Sequence, residues 1–433
     1  MNNLPHTHAD SSHYKKQLGF AWLIWGLAAA FFFLDYMARV APGVMHRQLQ
    51  VDFGINEAGF GILTASFYIP YVLMQIPVGL AVDRISIRWL LAVMSMVTAL
   101  GCGVFGLANG LAIASIGRIL IGFSAAFAFI SALRLATSWF SPTMLGLLAG
   151  LTQALGMLGA AAGEAPVAFL VSTVGWQQSM YIIAILFVLL AVLMYLFIQD
   201  KPSSTMNEIK FHRSTGVVHS MKIILFHRQT WINAFYAGFL FVPTAVIGES
   251  IGPAYLQFGR GLSMHNAAFA TGLIFIGWGI GGPISGWLSD RIGKRKPVML
   301  LSALSGFVLS LLFVFYPSLS QTNLYIIFFL FGLTNTGVSI AYAVSTELHG
   351  ANVVGTAIAF TNMISILVGA LMQPLVGCLV DMVSGTRAYN LETLTLADFQ
   401  SGLQLLPICS FVALILAFLV NETYCKSQTT LPA

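Results

Sequence analysis

Long apolar runs separated by short polar segments dominate this chain. Twelve runs are long enough to cross a bilayer, which takes about 20 residues in a helix. Only a helix satisfies the backbone hydrogen bonds of such a run inside a membrane. The pattern therefore predicts an all-α integral membrane protein with twelve transmembrane helices, called spans here, in two six-helix halves. The predicted spans cover residues 18–41, 58–82, 89–108, 111–133, 143–170 and 178–198, then 230–256, 264–288, 298–316, 322–345, 353–380 and 400–420.

A polar stretch lies between the two sets of spans. Residues 199–229 contain Pro202, several Ser and Thr residues and five basic residues, which is typical of a linker. The predicted segments are a cytoplasmic N-terminal tail at 1–17, an N-terminal half at 18–198, a cytoplasmic linker at 199–229, a C-terminal half at 230–421 and a cytoplasmic tail at 422–433.

The composition excludes several classes of protein. Hydrophobic residues make up 58% of the 433 residues and charged residues 8%, against about 25% charged residues in a soluble domain. These values exclude a cytosolic enzyme, a disordered protein and a secreted disulfide scaffold. An outer-membrane barrel is excluded because its strands alternate and give no long apolar runs. The four cysteines form no CxxC pair, so we expect small hydrophobic residues and no metal site.

The basic residues indicate how the chain is oriented. With the N-terminus inside, 15 of the 20 Lys and Arg residues fall in cytoplasmic segments and 3 in outer loops. This bias predicts that both termini are cytoplasmic. The outer residues are Arg47, Arg260 and Arg387, and Arg39 and Arg118 lie within spans. The cytoplasmic residues are Lys15, Lys16, Arg84, Arg88, Arg134, Lys201, Lys210, Arg213, Lys222, Arg228, Arg291, Lys294, Arg295, Lys296 and Lys426.

Two loops of the chain are alike. GLAVDRISIR at 79–88 follows span 2, and GWLSDRIGKR at 286–295 follows span 8. Four residues match at a constant offset of 207, close to half the chain. Such an offset indicates two homologous halves with the substrate path between them. The matched pairs are Gly79 with Gly286, Asp83 with Asp290, Arg84 with Arg291, and Arg88 with Arg295.

These loops resemble the signature of the major facilitator superfamily. The first copy has Ser86 where the pattern has Gly, and the second keeps Gly293. Arg118 followed by Gly122 resembles the span-4 motif of the same superfamily. The resemblance covers nearly the whole chain and implies a transporter that works by alternating access. It also implies that the eight matched loop residues are gating residues, which hold the inner gate closed by pairing with neighbouring helices.

A narrower resemblance is to the phagosomal transporter family of intracellular Gram-negative bacteria, which takes up amino acids or nucleosides. The similar stretches are 35–42, 355–362, 373–377 and the closing Asn421-Glu-Thr-Tyr-Cys425. The family usually has Glu at the position of Asp35 and Lys at that of Arg134. Ser-Ile-Gly at 250–252 also replaces a Leu-Trp-Gly, so these departures leave the substrate open.

Charged residues inside spans are costly and therefore candidates for function. Asp35, Glu164 and Glu249 are the predicted proton-coupling residues. Asp35 and Arg39 are four residues apart and share one helix face. Either they form a local ion pair, or Asp35 lies near Arg118 in the cavity of the N-terminal half. Glu164 follows Gly156, Gly159 and Gly163, which predict a close-packed helix face. For Glu249, the alternative is a carboxyl near the outer interface.

The predicted substrate-binding residues combine charged, aromatic and amide groups. Arg118 cannot lose its charge, so it either clamps backbone carbonyls or binds a substrate carboxylate. The aromatic residues could stack on a substrate, and the amides suit a zwitterion or a nucleoside. The alternatives are packing for the aromatic residues and hydrogen bonds between helices for the amides. The full set is Tyr36, Arg39, Arg118, Gln153, Trp278, Asn335, Asn362 and Gln373.

Two patterns are excluded as sites. Gly277-x-Gly279-x-x-Gly282 fits a dinucleotide fingerprint but lies inside apolar span 8 with no strand before it. The histidines at 6, 8 and 13 lie in the N-terminal tail, where a disordered segment is expected. No P-loop is present, so we expect no direct use of ATP, and no cofactor or metal is predicted.

The predicted function is secondary active import of a small polar nutrient, an amino acid or a nucleoside, by proton symport. One alternative is an organic-anion/proton symporter, favoured if Arg39 and Arg118 both face the cavity unpaired. A second alternative is a drug/proton antiporter, and an alternative outside transport is a membrane sensor. An intramembrane enzyme is not expected, because no nucleophile–base or metal-ligand cluster is found. The expected partners are the substrate, the proton and the lipid bilayer, with no nucleic acid. We expect a monomer in the bacterial inner (cytoplasmic) membrane.

Overall fold

Twelve helices of the described chain are long and apolar enough to cross a membrane. The computed structural model describes residues 8–141, 144–199, 217–316, 318–349 and 353–426. Within these ranges it describes the side chains of all residues except 8–18, 76, 79–80, 83 and 217–220. The predicted fold class, an all-α membrane protein with twelve transmembrane helices, is confirmed.

The spans of the N-terminal half are mostly long helices, and two of them are interrupted. Span 1 comprises His8–Val40 and Pro42–Phe53, span 2 Glu57–Ala65 and Tyr68–Arg84, span 3 Ile87–Gly106, span 4 Leu111–Trp139, span 5 Leu145–Val174 and span 6 Trp176–Phe197.

Three of the spans in the C-terminal half are interrupted. In span 7 the helix Arg228–Pro243 continues through π-helical turns at Thr244–Ile251 and Tyr255–Gly259, with Gly252–Ala254 between them. Such π-helical turns are rare and often mark functional sites. The other spans are span 8 at Met264–Ile292, span 9 at Lys296–Phe315, span 10 at Gln321–Thr334 and Gly337–Leu348, span 11 at Val354–Ser384, and span 12 at Leu396–Leu403 and Leu405–Leu419.

Span 1 is longer than predicted. The sequence pattern ended it at residue 41, but a second helix continues from Pro42 to Phe53. Proline is tolerated in the first turn of a helix because the N–H that it lacks would have no partner there. The helix ends at Gly54, whose φ of 62° is left-handed. Arg47, expected in an outer loop, therefore lies within this helix.

The segment between the halves is not polar throughout. Val217–Phe226 forms a helix, and Ile224 is fully buried. Span 7 then begins at Arg228, before the predicted start at residue 230. Pro202, Lys201, Lys210 and Arg213 lie outside the described residues. The predicted limits of the five segments stay predictions.

The spans pack mostly within their own half, and two pairs form the most extensive contacts between the halves. Span 5 packs against span 8, and span 2 packs against span 11. We call the side with the 2–3 and 8–9 loops the linker face and the opposite side the distal face. Within the N-terminal half, a Cβ on Gly163 would lie 2.7 Å from the backbone oxygen of Met37, and one on Gly159 would overlap the backbone of Phe33. The predicted close-packed glycine face of span 5 is thus confirmed, with span 1 as its partner.

Candidate functional site

A buried ion pair joins the two halves at the interrupted helices. Arg39 in span 1 places its Nη2 atom 2.9 Å from Oε1 and 3.1 Å from Oε2 of Glu249 in span 7. Each of the two residues is 2% exposed. Glu249 lies in the π-helical turn Thr244–Ile251, which is wholly buried. The carboxylate partner of Arg39 is therefore on the opposite half, not one turn away at Asp35.

Tyrosines surround this pair. Tyr68, at the start of the second helix of span 2, donates a hydrogen bond from its hydroxyl to Oε2 of Glu249. The guanidinium carbon of Arg39 lies 4.9 Å from the ring centre of Tyr68, 5.0 Å from that of Tyr36 and 5.9 Å from that of Tyr71. Aromatic faces attract a cation at such distances. Arg39 is thus held by one carboxylate and several rings, and we call these residues the Arg39 cluster.

Arg118 contacts backbone carbonyls. Its Nη1 atom donates to the oxygen of Ala38 at 3.1 Å, and Nη2 donates to the oxygen of Thr64 at 3.5 Å. This is the clamp geometry that the sequence left open, although Nε of Arg118 is buried without a hydrogen-bond partner. Asp35 is 2% exposed, its Oδ1 atom has no partner, and it lies within electrostatic reach of Arg118 and Arg39. Their roles in coupling and substrate binding stay predictions.

The third predicted proton-coupling carboxylate, Glu164, lies apart from the Arg39 cluster. Glu164 in span 5 has no exposed surface, and both of its carboxyl oxygens lack a hydrogen-bond partner. It packs where span 5 meets span 8, since a Cβ on Gly272 would lie 3.5 Å from Cβ of Glu164.

The predicted amide ligands belong to two groups. Asn335 donates to the oxygen of Leu240 at 2.9 Å, and Gln373 donates to the oxygen of Ala245 at 2.8 Å. Both are buried and link helices, as the packing alternative describes. Asn362 is half-buried and accepts a hydrogen bond from the hydroxyl of Tyr342 at 2.9 Å.

Tyr342 extends the Arg39 cluster toward the linker face. It lies within electrostatic reach of Arg39 and Tyr71. Gln153 is half-buried in span 5, and Trp278 is 8% exposed with a buried indole nitrogen that lacks a partner. The structure thus brings Tyr36, Arg39 and Glu249 together. Asn362 lies near them, because its hydrogen-bond partner Tyr342 adjoins the Arg39 cluster.

Polar contacts close the distal face between the halves. Oδ1 and Oδ2 of Asp381 in span 11 accept hydrogen bonds from the backbone N–H groups of Glu57 at 3.1 Å and Ala58 at 2.9 Å, at the start of span 2. Gln50 in span 1 donates to the oxygen of Ala388 at 2.7 Å and accepts from the N–H of Leu391 at 2.8 Å. We call these six residues the distal gate, and it is closed in this structure.

The predicted gating loops lie on the linker face. In the second loop, Nη1 of Arg295 lies 2.6 Å from Oδ1 of Asp290, and its Nη2 lies 2.6 Å from Oε1 of Glu347 in span 10. The ring of Trp287 lies 5.2 Å from the guanidinium of Arg291, and a Cβ on Gly286 would meet nothing within 4 Å.

The first loop is described less completely. Nε of Arg88 donates to the backbone oxygen of Tyr195 at 2.6 Å, and Arg84 is exposed. The surroundings of Gly79 and the side chain of Asp83 are outside the part that the structure describes. The gating role of both loops stays a prediction.

Sequence reasoning missed several residues that the structure brings to these sites. Tyr68, Tyr71 and Tyr342 lie in the Arg39 cluster, and Glu347 holds Arg295. A hydroxyl or carboxylate in an otherwise apolar run was the available signal. It could not show which helices meet, because that depends on packing between the halves.

Comparisons with known proteins agree with this architecture. The sequence profile of the Major Facilitator Superfamily matches residues 25–374. The hexuronate transporter of Bacillus subtilis is 26% identical over 80% of this chain and 85% of its own. The probable sulfoacetate transporter of Cupriavidus necator is 25% identical over 65% and 67%. The crystal structure of a D-xylose-proton symporter superposes with a TM-score of 0.73 at 16% identity, covering 94% of this chain and 100% of that one.

These matches do not extend to the narrower phagosomal transporter family, and that resemblance stays a prediction. They agree instead with the paired loops, the span-4 motif and the twelve spans. The superfamily consists of transporters rather than enzymes. The chain belongs to the major facilitator superfamily.

Proposed function

We propose that this transporter imports a small organic anion together with a proton by alternating access. The buried pair of Arg39 and Glu249 is the main support for this proposal. The pair joins the halves at the interrupted spans 1 and 7, where transporters of this kind bind substrate. An arginine there can hold a carboxylate or sulfonate through two parallel hydrogen bonds.

The geometry links anion binding to proton binding. Glu249 occupies the guanidinium of Arg39 with both carboxyl oxygens, at 2.9 and 3.1 Å. A substrate anion can replace that carboxylate at low cost only if Glu249 takes up a proton, because otherwise two negative charges would share one positive charge. Uptake of one anion and one proton keeps the buried cluster neutral. Each ligand therefore favours the other to the same extent.

The relatives support the same substrate class. The names of the two relatives described above refer to anions, hexuronate and sulfoacetate. The condition set from the sequence, two unpaired arginines, is not met, because Arg39 has a carboxylate partner. Protonation of Glu249 would release Arg39, and the freed guanidinium could then bind an anion as an unpaired arginine does.

A zwitterionic amino acid is the second candidate. Arg39 and Glu249 lie side by side, so one could bind a carboxylate and the other an ammonium group. A nucleoside has no charge for Arg39 to bind, and the polar Arg39 cluster argues against a broad-specificity drug exporter.

The orientation and state of assembly are part of the proposal. The 2–3 and 8–9 loops are rich in basic residues and would lie in the cytoplasm. The linker face would then be inside and the distal face outside. We propose a monomer in a bacterial inner membrane, with the segment limits predicted from the sequence.

Transport into proteoliposomes tests the proposal. Radiolabelled organic acids, amino acids and nucleosides are offered with and without an inward proton gradient. We expect accumulation of an organic acid that depends on the gradient. Accumulation of an amino acid alone would favour the second candidate, and no dependence on the gradient would contradict proton symport.

Variants test the role of the pair. Glu249→Gln should still exchange labelled for unlabelled anion but should lose accumulation driven by the gradient. Arg39→Gln should lose both activities. Arg387→Gln is the matched control, since Arg387 pairs with Asp398 at the distal surface. Gradient-driven accumulation by Glu249→Gln would refute the proposed coupling.

A further inference from the structure

Glu164 is buried at the junction of the two halves and has no polar partner. It has no exposed surface, and neither carboxyl oxygen has a hydrogen-bond partner. The Arg39 cluster does not use it. A carboxylate that is buried without a partner is very costly, so the stable form in this closed arrangement is the neutral acid.

The surroundings of Glu164 come from both halves. A Cβ on Gly272 in span 8 would lie 3.5 Å from Cβ of Glu164 and 3.6 Å from the oxygen of Ala161. On the other side, span 1 approaches the neighbouring Gly163 closely through Met37. Separation of spans 5 and 8 would therefore expose Glu164, whereas their contact buries it.

Titratable groups on the packed elements are already paired or lie elsewhere. On span 1, Arg39 pairs with Glu249, and Asp35 lies within electrostatic reach of Arg39 and Arg118. His46, in the second helix of span 1, lies 3.2 Å from Glu57. At the start of span 8, His265 packs its ring 6.2 Å from that of Phe169.

We propose that Glu164 takes up a proton from the distal side when the distal gate closes, and returns it to that side when the gate opens. The proton passes from water to the carboxylate before spans 5 and 8 meet, and no other bond changes. It is not the transported proton, since the buried acid has no hydrogen-bond partner among the described residues that could pass a proton on to the linker face. The proposed function enters only as the alternating access that opens and closes spans 5 and 8.

The consequence is a gate that senses distal pH independently of substrate. Closure that takes up one proton changes the ratio of closed to open molecules by up to tenfold per pH unit. Lower pH favours the closed state.

Pulsed EPR distances across the distal face provide the test. Spin labels are placed at Val51 and Met382, which are 66% and 79% exposed near the distal ends of spans 1 and 11. The four natural cysteines are replaced by alanine, and the protein is studied in nanodiscs without substrate between pH 5 and 8. We expect the short-distance population to grow as pH falls.

Variants decide which carboxyl is responsible. Glu164→Gln, which mimics the protonated acid, should show the short distance at every pH, and Glu164→Met should do the same if the glutamine variant folds poorly. Glu164→Asp should retain the pH dependence, and so should Glu249→Gln. A pH-dependent distance in Glu164→Gln, or none in the unsubstituted protein, would overturn the proposal.

A flux measurement tests the second part. Glu164→Gln should keep the ratio of protons to substrate measured in proteoliposomes, whereas loss of gradient-driven accumulation would show that Glu164 carries the transported proton. The EPR result needs no substrate, so it stands or fails separately from the proposed organic anion.

Discussion

The stability of the Arg39–Glu249 pair depends on keeping both partners. At the observed 2.9 Å, Coulomb's law with an effective dielectric of about 20 gives about 6 kcal/mol of attraction. Burial of each ion costs several kcal/mol in return, so the net contribution of the pair is small. Removal of one partner leaves the other uncompensated and should cost about 3–5 kcal/mol.

The two single substitutions should differ. Arg39→Met leaves Glu249, which can become neutral by taking up a proton. Glu249→Leu leaves a guanidinium that cannot lose its charge, held by Tyr68, the surrounding rings and the more distant carboxyl of Asp35. We therefore expect Glu249→Leu to cost more than Arg39→Met. The double variant should cost much less than the sum, since it removes both buried charges.

Unfolding of the purified variants in mixed micelles, followed by tryptophan fluorescence during a titration with SDS, measures these differences. Tyr68→Phe is a further variant and should cost about 1.5–3 kcal/mol, because it removes a hydrogen bond to a charged acceptor. A double-mutant cycle gives the coupling energy, expected at about 3 kcal/mol or more. Additive costs of the single variants would refute the buried pair.

Three further predictions concern packing and the linker face. Gly332→Ala should destabilise by about 1–3 kcal/mol, because a Cβ there would overlap the backbone oxygen of Ile274 in span 8; the SDS titration measures it. Burial and the neighbouring His227 lower the pKa of His349 to about 4. As pH falls, the unfolded chain therefore protonates this histidine before the folded protein does. The melting temperature should fall as pH drops from about 6.5 to about 4. Backbone N–H groups, including two at the start of span 9, donate hydrogen bonds to Glu422. These bonds outweigh the opposing effect of burial, so the pKa of Glu422 is lowered in the folded protein. Glu422→Ala should therefore lower the melting temperature more at pH 7 than at pH 3.

Each of these predictions has its own control. Gly282→Ala places a Cβ where nothing lies within 4 Å, so it should be nearly neutral. His349→Gln should flatten the acid limb of the stability curve, and an unchanged limb would contradict the assignment. For Glu422, equal losses at both pH values would show that its charge is not what stabilises the linker face.

The glycines show how far local sequence could go. Gly277 fitted a nucleotide-binding pattern by spacing, but its apolar context excluded that chemistry. The structure shows that Gly277 and Gly281 face the backbone of span 10 so closely that a Cβ would overlap it. The sequence could indicate a close-packed helix face, but the partner helix follows from the arrangement of the half.

The ends and interruptions of the spans were harder to predict. Hydrophobicity alone ended span 1 at residue 41, whereas hydrogen bonds carry the helix on to Phe53. The π-helical turns around Glu249 also gave no sequence signal that we recognised. Helix ends and local winding depend on caps and on neighbouring helices, and neither is encoded in average hydrophobicity.

The sequence by itself determined the twelve spans, the two six-helix halves and the charged residues that the membrane makes costly. These follow from local properties, because apolar length and buried charge do not depend on the position of other helices. Only the tertiary structure decided that Arg39 pairs with Glu249 rather than Asp35, and that Glu164 is enclosed between spans 5 and 8. Arg39 and Glu249 are 210 residues apart in the chain, and an ion pair at that separation depends on how the two halves pack.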